Sequence, residues 1–119
     1  MTTGVSFKAV SRPARNEAVQ LCLEIWKEEY EKFRARGESD YNSSQAAHLA
    51  YRDAMPEPSS FQDIKDFIAC ISRGILIKAI DEYEASRLLS AARIASQAFA
   101  SAEKAVLKAV AQLQSGAAA

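Results

Sequence analysis

Residues 61–80 read FQDIKDFIACISRGILIKAI, and the reading of this stretch decides the fold. Ile64, Phe67, Ile68, Ile71 and Ile75 recur at steps of three and four, which gathers them into one stripe of an α-helix. Beyond Ala69 the opposite side also turns apolar, with Cys70, Leu76, Ile77 and Ile80. A helix that is apolar nearly all round needs cover on several sides, so residues 61–80 are expected to form the central core helix. Ser60 with Asp63 resembles a capping box and opens it. Gly74 lies on its apolar stripe, where a glycine costs about 1 kcal/mol against alanine, and marks a close approach by another helix.

Working outward, the chain reads as four helices. Pro13 suits a first helical turn, and the pattern runs from there to Arg36 with Gly37 as the stop. Val19, Cys22, Leu23, Trp26, Tyr30 and Phe33 make one face of that helix. Ser43 or Ser44 can cap a short second helix carrying Ala47, Ala50, Tyr51 and Ala54, which Pro56 and Pro58 end. Asp81 with Glu84 opens the last helix, expected to run to about Gln114 with Gly116 beyond. The expectation is an all-α bundle of three main helices and one short one. A loose arm covers 1–11, in which Val5, Phe7 and Val10 can reach the core. The helical domain covers 12–114, and a disordered tail covers 115–119.

The last helix has the most regular pattern. Ala85, Leu88, Ala92, Ala95, Phe99, Ala102, Val106, Ala109 and Leu113 alternate in steps of three and four without a slip. That 3.5-residue period is the signature of a supercoiled seam, and its many alanines let a neighbouring backbone come close. The three long helices differ in reach. The last spans about 50 Å, the central one about 29 Å and the first about 36 Å, at 1.5 Å per residue. No antiparallel neighbour covers all of the last helix. Val106, Leu107, Val110 and Leu113 are left bare unless the helix bends or frays near Ser101 or a partner covers it. The unbroken heptad favours a partner, and a second copy of the chain is the one expected.

At 119 residues there is room for one domain able to bury a core without disulfides or metals. Charged residues make up 25%, apolar ones 49%, and the formal net charge is zero. No overall field therefore draws the chain to nucleic acid or to an anionic membrane. No apolar run is long enough for a bilayer, and the opening MTTGVSFKAVS is too polar for a signal peptide, so a cytoplasmic location and no membrane contact are expected. Cys22 and Cys70 lie in apolar helical surroundings and read as buried free thiols.

Catalytic, metal and cofactor signals are missing. His48 is the lone histidine, expected on the polar flank of the second helix near Arg52, solvated or lightly hydrogen-bonded. No serine stands in a nucleophile elbow, no glycine-rich loop cradles phosphate, and no short Cys/His spacing suits zinc. The chain is expected to be no enzyme, with no cofactor. Lys8, Arg12 and Arg15 form a basic patch that makes nucleic-acid contact the alternative reading. Acidic residues interleave with the other basic positions, and the two-proline link is too long for a helix-turn-helix.

The segments Tyr51-Arg52-Asp53-Ala54-Met55-Pro56 and Phe67-Ile68-Ala69-Cys70-Ile71-Ser72-Arg73-Gly74 resemble parts of small uncharacterised all-α bacterial proteins, over roughly residues 46–99. The resemblance implies an all-helical fold, a bacterial origin and a mobile-element setting, and it carries no activity or catalytic residue across. The function expected is binding of another macromolecule, first of all a protein: as subunit of an assembly, or as an inhibitor encoded by a phage or plasmid.

Overall fold

Asn16, Ser39, Ser60 and Asp81 set where the four helices bounded within the described residues begin. The computed structural model describes Lys8 and residues 10–118; Val5 and Phe7 lie outside the described residues. Helix α1 is Glu17–Ala35, α2 Asp40–Asp53, α3 Phe61–Leu76 and α4 Glu82–Ala118. The Asn16 carboxamide oxygen accepts from the Val19 N–H at 3.0 Å, and Ser39 Oγ from the Asn42 N–H at 3.1 Å. Ser60 Oγ accepts from the Asp63 N–H at 3.1 Å and the Asp81 carboxylate from the Glu84 N–H at 2.7 Å, as the capping pattern predicts. The protein is an all-α bundle with a long last helix.

Two starts differ from expectation. Helix α1 opens at Glu17, not at Pro13, because Asn16 takes the cap while the Gln20 side chain accepts the Ala14 N–H at 2.9 Å. Helix α2 begins at Asp40, so Ser43 and Ser44 are not caps but buried positions within the helix. Neither hydroxyl has a hydrogen-bond partner among the described residues.

Two ends are built alike. After α1, Gly37 has φ 88°, the Gly37 N–H bonds the Arg34 carbonyl at 3.0 Å and the Glu38 N–H the Phe33 carbonyl at 3.1 Å. After α3, Lys78 has φ 68°, the Lys78 N–H bonds the Ile75 carbonyl at 3.2 Å and the Ala79 N–H the Gly74 carbonyl at 2.9 Å. Both are Schellman closures, one with the usual glycine and one with a lysine. The second closure corrects the central helix, which stops at Leu76 rather than Ile80. Ile77, Ala79 and Ile80 are buried because the turn folds them back. A Cβ placed on Gly74 would stand 2.6 Å from Ile80 Cδ1 and 3.2 Å from Tyr51 Cε1. The glycine thus admits the returning Ile80 as well as a neighbouring helix.

The buried face of α3 is Ile64, Phe67, Cys70, Ile71 and Gly74; Ile68, Ile75 and Leu76 look outward, so the helix is not apolar all round. Helix α1 packs along α2 and touches α3, while α3 packs on α4. Trp26, Leu23 and Cys22 of α1, Ala47 and Tyr51 of α2 and Ile71 of α3 form the centre of the core. Lys8, Val10 and Ser11 carry helical backbone, and Val10 is buried against that core. At the far end α4 runs through Gly116 to Ala118, taking helix into the range 115–118 where the pattern placed a tail.

Candidate functional site

Helix α4 has 37 residues, about 55 Å of helix, and the bundle covers only its first half. Ala85 and Ala92 are buried, and Leu88, Ala95 and Phe99 are half-buried. The last cover is given by Phe61 at the start of α3, whose ring lies 5.7 Å from that of Phe99. From Ala100 to Gly116 every residue is exposed. Val106 is 61% exposed, Leu107 63%, Val110 43% and Leu113 74%. The four residues expected at an interface therefore stand together on one overhanging end of helix. The helix reaches them without a break, so the alternative of a bend or fraying near Ser101 is not what the structure has. The molecule measures 75 × 24 × 21 Å. Its radius of gyration, 19.6 Å, compares with about 13.5 Å for a compact domain of this length.

The basic residues at the other end are also exposed. Lys8, Arg12 and Arg15 lie on the segment leading into α1, and Arg73 of α3 donates from Nη1 to the Arg12 carbonyl at 2.8 Å. This places a fourth cation beside Arg12, a neighbour that sequence distance hides. Asp66 of the same helix accepts from the Asn16 side-chain amide at 2.9 Å.

A cleft of about 520 Å³ opens where the two-proline link passes over α4. Met55, Pro56, Pro58, Phe67 and Leu88 make it mostly apolar. Arg52 on its wall is tied to Glu84 at 2.5 Å, which joins α2 to α4 and occupies the carboxylate. The lining includes neither histidine, cysteine nor serine.

His48 differs from its expected place on the polar flank. It is buried, and its Nδ1 accepts the Trp26 indole N–H at 3.0 Å, with the rings 5.9 Å apart. Burial holds the imidazole below its ordinary pKa, and the charge of Arg52 adds to the effect. Accepting at Nδ1 leaves the neutral ring its proton on Nε2. Cys22 and Cys70 are fully buried free thiols with sulfurs 3.9 Å apart across the α1–α3 contact. The hydrogen bond with Cys22, together with burial, pushes the Cys70 thiol up. Tyr51 donates its hydroxyl to the Cys70 carbonyl at 2.6 Å, and burial raises its pKa also. These groups hold α1, α2 and α3 together.

Among the described residues no cluster of three or more His, Cys, Asp or Glu side chains is placed to hold a metal. Among them, too, no helix is long and apolar enough to cross a membrane. No known family model, curated protein or solved structure matches this chain.

Proposed function

We propose that this is a helical binding protein without chemistry of its own, whose contact surface is the overhanging end of α4 and whose partner is a helix of another protein chain. The observation that carries this reading is the apolar stripe of Val106, Val110 and Leu113, bordered by Leu107, continuing the bundle's heptad into solvent. An isolated helical end rich in alanine is marginal in water, and helix-on-helix packing of an apolar stripe is what usually stabilises one. The accessible surface, 8065 Å², exceeds by roughly 1,700 Å² that of a compact monomer of this mass. A standard protein–protein interface buries about 800 Å² on each partner, so an excess of that size is ample for one. Two unbridged thiols in contact accord with a reducing, cytoplasmic setting.

Sedimentation of the tagged chain in a fresh native extract, beside Val106→Glu/Val110→Glu, tests the reading. The parent is expected in a species heavier than one chain and the variant as a folded monomer. If both sediment alike as single chains, the overhang is no interface. Arg73 beside Arg12 favours a second reading, contact with nucleic acid through Lys8, Arg12 and Arg15. That reading predicts a heavy species that nuclease or moderate salt dissolves and that the double variant retains.

A further inference from the structure

The overhang carries more information than its apolar character, because large and small residues occupy its two seam positions in strict order. Numbered from the seam, the first position holds Phe99, Val106 and Leu113, and the second holds Ala102, Ala109 and Gly116. One position is always large and the other always small. Two helices packed in parallel place like positions opposite each other. Val106 would then face Val106 and Ala109 face Ala109, so that the seam alternates between crowding and voids. Two helices packed antiparallel place the first position opposite the second. Each layer then combines one large side chain with one small: Phe99 with Gly116, Ala102 with Leu113, Val106 with Ala109. The spacing between helix axes stays constant along the seam, the condition for close packing.

We infer that the overhang pairs with the same stretch of a second copy, antiparallel, about a two-fold axis passing between Leu107 and Lys108. This rests on the reading of the overhang as an interface and names its occupant. The rest of the molecule accommodates the arrangement. Helix α3 reaches α4 no further than the Phe61–Phe99 contact, so the second copy enters where α3 stops and continues its line. Phe61, still exposed beside Phe99, receives the incoming end of the second helix. Beside the seam, Glu103 lies opposite Val110, while Lys104 and Lys108 stand on the outer side, so no like charges are opposed. The two bundles end up at opposite ends of the pair, where they do not collide. A monomer has no need of the glycine at Gly116, since an added Cβ there would meet nothing. Opposite Phe99 of the second copy, its smallness is used.

The test combines mass with orientation in the purified full chain. Light scattering at high micromolar concentration is expected to give twice the chain mass. Spin labels are then placed at Lys108→Cys or at Arg93→Cys, with the buried native thiols left unreacted. The label pair at 108 should give a short distance, and the pair at 93 one of about 45 Å. Equal short distances at both positions would mean a parallel pair and overturn the inference, while leaving the overhang an interface. A monomer overturns it too, and the extract experiment then decides whether a foreign helix is the occupant. A dimer that survives Val106→Glu/Val110→Glu would sink both readings at once. Packing supplies an independent check. Ala109→Val should weaken the antiparallel pair about tenfold or more by overfilling its two Val106 layers, and Val106→Ala/Ala109→Val should restore it. Tighter association of Ala109→Val alone would contradict the layer assignment.

Discussion

Trp26 and His48 stand 22 positions apart and share one buried proton. In the neutral ring Nδ1 is an acceptor; protonation turns it into a donor facing another donor. The folded protein therefore binds a proton at His48 less readily than the unfolded chain, where the value is near 6.5. The sign follows. Stability from this contact is fully present above about pH 6.5 and is lost as pH falls through the lowered folded value. We expect the unfolding midpoint to fall between pH 7.5 and pH 5.5, and His48→Gln, whose carbonyl still accepts the indole N–H, to lose the part of that fall due to this group. Equal pH dependence of the two proteins would remove His48 from the account. Sequence reading placed His48 on the polar flank because a three-to-four spacing shows which face a residue is on, not which distant side chain comes to meet it. Ser43 and Ser44 were misplaced for a related reason. Their residue type suits a cap, and the choice of Ser39 is made by how α2 seats against α1.

The paired helix endings make a comparison at the level of elements. Gly37 and Lys78 occupy the same left-handed position in the same closure, but only glycine does so without cost to its Cβ. Lys78 is exposed, so its side chain gives nothing back in packing. Lys78→Gly is expected to stabilise the fold by about 0.5–1 kcal/mol, and Gly37→Ala to destabilise it by about 1 kcal/mol, in urea unfolding. A loss of stability in Lys78→Gly would show that the turn is held by something other than its backbone. The same closure explains why residues 77–80 read as helix. Periodicity cannot tell a continuing helix from a turn that returns its side chains to the same core, and a lysine gives no stop signal. Where the terminating residue was glycine, at 37, the boundary was legible. The caps at Ser60 and Asp81 were legible too, because both rest on contacts within one helical turn.

For the whole molecule, the mismatch of helix lengths was readable before any contact was known, and it holds after the revision of α3 from residues 61–80 to Phe61–Leu76. What the pattern alone left open was whether α4 bends, frays or continues, since a heptad is compatible with all three. The structure has it continue, beyond the last cover at Phe99. Removing everything after Ala100 should therefore leave the bundle's unfolding midpoint in dilute solution nearly unchanged while abolishing the proposed association. A truncated chain that melted much earlier at low concentration would show that the overhang supports the fold from which it projects. The independence has a consequence for how such a chain can change over generations. Substitutions between residues 101 and 116 escape the constraint that folding places on the bundle, and answer only to whatever the exposed helix meets. Whatever the proposed interface selects can drift there, or be exchanged by recombination as a single short block, without the rest of the protein having to adapt.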